Sequence, residues 1–393
     1  MYLNYWAIFL IGKIMSGIYI HVPFCNQFCT YCNFYSVKGK GYREEYLKAL
    51  YNEVVLKKDF FREKGIVPNT VYFGGGTPSV FGADVLGGIL ENLIKVFDFS
   101  PDEVTVEVNP NDVSLDYAKS LFSAGFNRVS MGVQSFVNDH LRWMNRRHNA
   151  GEAELAYNFL KEAGFNNISL DLIFGFDQLS MDLWEYNLKK IVELSPQHIS
   201  SYQLSIEPGS ALKSMYIKGN YTPLSDNLCN IQYSMLQQHL VSNGYEQYEI
   251  SSFAKIPFEQ NKSKHNSSYW TKEAYLGLGP AAHSFDGDVR YWNNSSVVKY
   301  CKYYLGKGGS WEEACGKEIL SAEDKFNESV MLGLRTVNGV CISGLDERCY
   351  GKISDMVSAL VENGDLVKEG DKIRIPSNKL FVSDGIISKL FIV

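Results

Sequence analysis

Cys25, Cys29 and Cys32 lie in the run Cys25-Asn26-Gln27-Phe28-Cys29-Thr30-Tyr31-Cys32, spaced C-x3-C-x2-C. Three thiolates this close in the chain can grip three corners of one iron–sulfur cubane. The remaining corner then has no protein ligand, and its open iron can bind and reduce a small molecule. Two other chemistries use clustered thiols. A structural zinc ion wants four Cys or His ligands, and the nearest further candidate is His21, upstream in an apolar strand segment. A disulfide framework needs an oxidising compartment and Cys that pair evenly, which three clustered Cys do not. Cys229, Cys301, Cys315, Cys341 and Cys349 show no ligand spacing and read as small core hydrophobes.

The segment Phe73-Gly74-Gly75-Gly76-Thr77-Pro78-Ser79 is the second with chemical meaning. Consecutive glycines let a ligand approach the backbone closely, and they also make turns. What positions these segments is an alternation of short strands and amphipathic helices from residue 17 to about 205. Strands are predicted at 18–22, 70–74, 103–108, 128–133, 167–173 and 197–204, and helices near 42–63, 82–97, 114–124, 151–163 and 180–194. Such βα repeats imply a parallel sheet with right-handed crossovers.

A parallel strand buried on both faces should be apolar throughout. Here Tyr19 and His21 alternate with Ile18, Ile20 and Val22, and Glu103, Thr105 and Glu107 alternate with Val104, Val106 and Val108. Ser130, Gly132 and Gln134 alternate with Val129, Met131 and Val133, as do Ser169 and Asp171 with Ile168, Leu170 and Leu172. Period 2 puts the polar side chains on one face. A curved, partly open barrel with a polar lumen fits, with Glu107, Gln134 and Asp171 near the C-terminal strand ends, where parallel βα barrels carry their chemistry.

The chain has 393 residues, room for one large domain and smaller ones. Its net charge of −6 does not indicate a general nucleic-acid surface. The apolar start contains Trp6-Ala7-Ile8-Phe9-Leu10-Ile11, too short to span a bilayer and without a basic n-region or a small-residue cleavage site. Met15 is the expected true start, with the residues before it a mis-assigned extension, and the expected location is the reducing cytoplasm. Four regions follow: 1–16, the N-terminal extension; 17–205, the barrel; 206–315, a less regular extension of the barrel with a helix near 226–243; and 316–393, a separate α+β unit. That last unit is predicted to hold helices at 322–334, 343–350, 352–363 and 382–391 around a hairpin at 365–375, a winged-helix-like pattern. Its 343–363 segment has no basic excess, so a structural or partner-docking role is expected rather than DNA binding.

Further motifs join these. They are Tyr19-Ile20-His21-Val22-Pro23-Phe24-Cys25, Gly74-Gly75-Gly76-Thr77-Pro78, Glu107-Val108-Asn109-Pro110, Gly132-Val133-Gln134-Ser135-Phe136, Asn145-Arg146 and Asp171-Leu172-Ile173-Phe174-Gly175. Together the chain, from residue 18 to the last helix, closely resembles the coproporphyrinogen oxidase-like branch of the radical S-adenosylmethionine (SAM) superfamily. The resemblance implies a partial (β/α)6 barrel in which Cys25, Cys29 and Cys32 ligate [4Fe–4S]. It implies a SAM site lined by Tyr19, Gly75, Gly76, Thr77, Glu107, Gln134, Arg146 and Asp171, with Tyr31 packed on the cluster or the adenine. The chemistry agrees: an ammonium, a sulfonium and ribose hydroxyls want Glu107, Asp171 and Gln134, and Arg146 suits a carboxylate. The plain alternative for Arg146 is a surface ion pair.

Two features choose a subgroup. Oxidases of this branch carry a fourth Cys where this chain has Phe34, and they have a longer N-terminal segment. The chain instead has His265-Asn266-Ser267-Ser268-Tyr269-Trp270 and Gly277-Leu278-Gly279-Pro280-Ala281-Ala282-His283-Ser284-Phe285, and so resembles the HemW-type heme chaperones. Ala281 replaces a common Gly, and Asp177-Gln178 stands where the branch usually has a Pro-containing turn. The implied cofactors are [4Fe–4S], SAM and heme, with His265 as axial heme ligand, Tyr269 and Trp270 as apolar faces, and His283 structural. The implied partner is a heme-accepting hemoprotein, such as a respiratory enzyme at the membrane; no nucleic acid is expected, and a homodimer is left open. The alternatives are an oxygen-independent coproporphyrinogen III oxidase, which decarboxylates propionate side chains, and a radical SAM methyltransferase.

Overall fold

The computed structural model describes residues 15–39 and 41–392. The expected mis-assigned start at 1–14 lies outside the described residues.

Six strands form the centre: β1 (Gly17–Val22), β2 (Thr70–Gly75), β3 (Glu103–Val108), β4 (Arg128–Gln134), β5 (Ile168–Phe174) and β6 (His198–Gln203). They lie side by side in chain order, each parallel to the next. Five helices cover the outer face: α1 (Arg43–Leu56), α2 (Ala83–Phe97), α3 (Leu115–Ser123), α4 (Ala150–Glu162) and α5 (Met181–Leu194). α2 shows why. Leu86, Ile89, Leu90 and Leu93 fall at helical spacing and are buried together. Starts are set by side chains that accept a backbone N–H: Ser114 begins α3, Ser180 begins α5, and Asn149 with Glu152 makes a capping box on α4.

The apolar members of the alternating pattern, such as Ile18, Ile20, Val104, Val106, Val129, Met131 and Leu170, all belong to the core under these helices. The polar members face the lumen.

The 206–315 extension is not a separate layer. After α6 (Asp226–Ser242), strands β7 (Tyr245–Gln247) and β8 (Ser252–Lys255) continue the sheet beyond β6. The short helix α7 (Lys264–Trp270) follows. β9 (Tyr275–Leu278) then pairs parallel with β1, and β10 (His283–Phe285), β11 (Val289–Asn293) and β12 (Cys315–Ile319) continue antiparallel outward. One sheet of 12 strands results, extended at both edges of the six-stranded centre.

The C-terminal unit has helices α8 (Ala322–Leu334) and α9 (Glu347–Glu362) and a small sheet of 340–341, 367–369 and 372–374. The two helices expected at 343–350 and 352–363 are one. Gly351 costs a helix only about 1 kcal/mol, less than the burial of Cys349, Ile353, Val357 and Leu360 along one face returns. Residues 383–387 form a single short helix inside the span predicted at 382–391.

Candidate functional site

The loop after β1 presents Cys25, Cys29 and Cys32. It is closed by a two-residue parallel pairing of Phe24–Cys25 with Val37–Lys38. Segment 143–146 holds it from below. The Thr30 N–H donates to the Met144 carbonyl (3.0 Å), Thr30 Oγ1 donates to the Trp143 carbonyl (2.9 Å), and Asn145 Nδ2 donates to the Phe28 carbonyl (2.7 Å). Gln27 Nε2 returns a bond to the Asn145 carbonyl (2.8 Å). Asn145 sits at φ 55°, a left-handed conformation that Asn tolerates, which turns its amide under the loop.

Cys25 Sγ lies 3.3 Å from Thr77 Oγ1, and Arg146 Nη1 donates to Cys29 Sγ (3.4 Å). Burial pushes the Cys25 thiol up and the Cys32 thiol up to about 11, so thiolate forms there only with a compensating positive charge. Among the described residues, no group of three or more His, Cys, Asp or Glu converges on one point to hold a single metal ion.

Arg146 is not a surface residue. Its Nη2 donates to Asn109 Oδ1 (2.7 Å) and to the Gly132 carbonyl (2.5 Å), and its charge interacts with the half-buried Tyr31. Arg146 thus links the cysteine loop to the ends of β3 and β4. Tyr31 packs against the core, with its hydroxyl pKa raised by burial.

The lumen holds two carboxylates. Glu107 accepts from Tyr72 Oη (2.8 Å) and from the Gly75 N–H (3.2 Å), and burial lifts its pKa to about 7. Asp171 accepts from Ser130 Oγ (3.2 Å) and Ser169 Oγ (3.3 Å), and burial lifts its pKa to about 6. Gln134 sits at φ 69°, and its Oε1 is buried without a hydrogen-bond partner. A strained backbone aiming an unsatisfied acceptor is a mark of a ligand site. Two buried carboxylates raised in pKa want a cationic ligand, so the donor set fits SAM with its ammonium, sulfonium and hydroxyls.

The glycine run packs closely against its own neighbours. A Cβ at Gly75 would lie 2.6 Å from the His21 ring, and one at Gly76 would lie 2.8 Å from the carbonyls of Val22 and Phe24. At Gly74 it would meet Tyr72 and Glu107. Protein atoms fill those spaces, so the glycines let β2 close on β1 and its loop. Thr77 Oγ1 accepts from Asn109 Nδ2 (3.2 Å) and so joins Cys25 to β3.

His265, the expected heme ligand, lies on α7. Helix α7 plugs the other end of the barrel, at the strand starts: the N–H groups of Lys264 and His265 donate to Glu103 (3.0 and 2.9 Å). The His265 ring is buried, stacked on Tyr72, with Nδ1 2.8 Å from Thr70 Oγ1 and Nε2 2.9 Å from Tyr269 Oη. Both ring nitrogens are engaged by hydroxyl groups.

Sequence reasoning also missed Tyr72 and Arg128. Arg128 is buried, with Nε and Nη1 unpartnered, and its charge reaches Asp171, His198 and His265. The signal was available: Tyr72 shares a face with Gly74, and Arg128 with Ser130.

Residues 19–190 match the Radical SAM superfamily. A heme chaperone HemW of Haemophilus influenzae is 37% identical over 383 residues, covering 94% of this chain and 96% of that protein. HemW of Lactococcus lactis is 30% identical over 386 residues, 96% and 97% of the two chains. The chain belongs to the HemW family of radical SAM proteins. HemW of Bacillus subtilis is 33% identical over 346 residues, 87% and 88% of the two chains. In fold, this HemW family member resembles the Escherichia coli coproporphyrinogen III oxidase HemN, with a TM-score of 0.80 over 96% of this chain and 90% of that one. At 21% identity that likeness shows the fold alone. Superfamily membership implies [4Fe–4S] and SAM. No helix among the described residues is long and apolar enough to cross a membrane.

Proposed function

We propose that this chain is a heme carrier on a radical SAM scaffold, which binds heme and passes it to a recipient hemoprotein. The observation that carries the reading is the match to proteins named heme chaperones over nearly the whole length, 94% of this chain in the Haemophilus influenzae case. Phe34, where the oxidase pattern has a fourth Cys, supports it against the oxidase alternative.

In this reading Cys25, Cys29 and Cys32 hold the cluster. When bound, the cluster supplies an open iron for SAM and a source of one electron. Glu107, Asp171 and Gln134 bind and orient SAM from the lumen. Arg146 keeps Cys29 in place against β4, and Thr77 does the same for Cys25. The helical plug α7 shuts the strand-start end against water.

Anaerobic reconstitution tests this on one sample. Iron uptake should give broad visible absorption that Cys29→Ala loses, heme titration should give a saturable Soret band, and coproporphyrinogen III should stay unchanged with SAM and reductant. Multiple-turnover decarboxylation would establish the oxidase instead.

A further inference from the structure

A cavity of about 530 Å³ opens beside the cysteine loop, between β1 and the strands β9 and β10. That volume falls within the roughly 300–1,000 Å³ of sites for drug-sized molecules. Its walls are mainly flat rings: Tyr19 from β1, Phe34 and Tyr35 from the loop, Tyr269 from α7 and Tyr275 from β9. Phe34 is 66% exposed at a position just after the third Cys. A large exposed aromatic on the wall of a cavity wants a flat apolar ligand.

Two histidines line the same cavity, and their hydrogen bonds separate them. His21 Nε2 donates to the Tyr35 carbonyl (2.9 Å), and its Nδ1 accepts from Tyr19 Oη (3.1 Å). A carbonyl only accepts, so the tautomer is fixed and both nitrogens are used. His265 and His198, behind it in the lumen, are likewise bonded through both nitrogens. His283 differs. It is exposed, its ring stacks on Trp292 at 6.0 Å, and neither ring nitrogen has a hydrogen-bond partner among the described residues. A ring held by stacking, with free nitrogens on the wall of an aromatic cavity, is prepared to ligate a metal in a flat macrocycle.

The backbone around it is built for this position. Gly277 lies so close to the His283 carbonyl that a Cβ there would collide with it. Gly279 likewise abuts the His21 carbonyl. Ala281, also on the cavity wall, takes φ 66° where a non-Gly residue is strained. Two tight approaches and a strained turn hold β10 against β9, which pairs with β1, and place His283 on the cavity wall.

We infer that this cavity is the heme seat and that His283, not His265, is the protein ligand to the heme iron. The inference rests on the carrier reading and gives that reading its site. Heme would lie with Tyr and Phe rings against the porphyrin and imidazole nitrogen on iron, next to the cluster loop.

Ferric heme is titrated into wild type, His283→Ala, His283→Gln and His265→Ala, followed by absorption and electron paramagnetic resonance. Loss of even an outer-shell partner of a metal ligand costs about 10–100-fold in affinity, so loss of the ligand should cost at least that. Both His283 variants should shift the Soret band and bind at least tenfold more weakly, with cluster absorption unchanged. Adding imidazole to His283→Ala should restore the wild-type spectrum, which a merely structural role would not allow. His265→Ala should keep the wild-type heme spectrum in whatever fraction folds. If wild type binds heme and both His283 variants keep its spectrum and affinity, the seat is wrong while the carrier reading stands. If wild type binds no heme, both fall.

Discussion

Glu107 and Asp171 are carboxylates that burial holds against ionisation. The pKa of Glu107 is about 7 in the folded chain against an ordinary 4.5, and that of Asp171 about 6 against 3.8. The folded state therefore binds these protons more tightly than the unfolded one. Stability from Glu107 is complete below about pH 4.5 and is lost as pH rises through 7. Each unit is worth about 1.4 kcal/mol, so roughly 1–3 kcal/mol is at stake. Cluster-free wild type should then lose stability between pH 5 and pH 8, and Glu107→Gln should lose roughly 1–3 kcal/mol less over that interval, read from urea unfolding. The same variant should bind SAM more weakly by calorimetry, because a neutral amide cannot balance the ligand's positive charge. An equal pH slope in both proteins would mean that Glu107 does not titrate in this range, and an unchanged SAM affinity would exclude it from the SAM site.

At the scale of elements, the telling one is α7. It has only seven residues, too short to hold itself in water, and it survives by tertiary bonds. Ser263 caps it, Glu103 takes two of its N–H groups, and the His265 ring bridges Thr70 to Tyr269. Deleting that ring leaves the Tyr269 hydroxyl without its partner, the Thr70 hydroxyl with only a long bond to the Ser16 carbonyl (3.5 Å), and a void under Tyr72. His265→Ala should cost about 3–5 kcal/mol in urea unfolding, whereas a loss below about 1 kcal/mol would mean that α7 is not a plug. Such a large cost also explains why loss of heme binding in this variant, taken alone, would not identify a ligand.

Elements of this kind mark where the sequence stops being informative. The six central strands are legible to within a residue or two at each end, because a buried face against a polar lumen imposes period 2. Glu107, Gln134 and Asp171 follow from the same pattern. The place of His265 does not, since nothing in Lys264–Trp270 says that its partner is a Thr at the start of β2, 195 residues away. β9 to β12 are also invisible. They are three to five residues long, too short for a periodic signal, and their pairing with β1 is set by Gly277 and Gly279 fitting against neighbouring backbone. Ala281, in sequence only a departure from the family pattern, occupies a left-handed turn on the cavity wall.

For the molecule as a whole, one buried carboxylate decides whether barrel and extension behave as a unit. Glu53 lies on α1, outside the barrel, and is 1% exposed. It accepts from the Gly279 N–H (2.8 Å), Asn293 Nδ2 (2.7 Å), Tyr300 Oη (2.6 Å) and Tyr304 Oη (2.9 Å). All four donors belong to the extension, and Gly279 begins the turn that leads to Ala281 and His283. Burial raises the Glu53 pKa despite these four donors. Removing the carboxylate leaves the Gly279 N–H and the Tyr300 hydroxyl buried and unpaired, while Asn293 and Tyr304 keep bonds to the Gly279 carbonyl and to Asn293 Oδ1, so Glu53→Ala should cost about 3–5 kcal/mol. Because Gly279 begins the turn that shapes the cavity, heme affinity should fall as well, although Glu53 does not line the cavity. Trp184 reports on the barrel and Trp292 on the extension. Single-Trp versions of the Glu53→Ala protein should give coincident urea transitions, since β9 pairs directly with β1 and the sheet is continuous. If Trp292 instead reports an earlier transition while Trp184 stays native, the extension is a separate folding unit, and Glu53 only fastens it to the barrel.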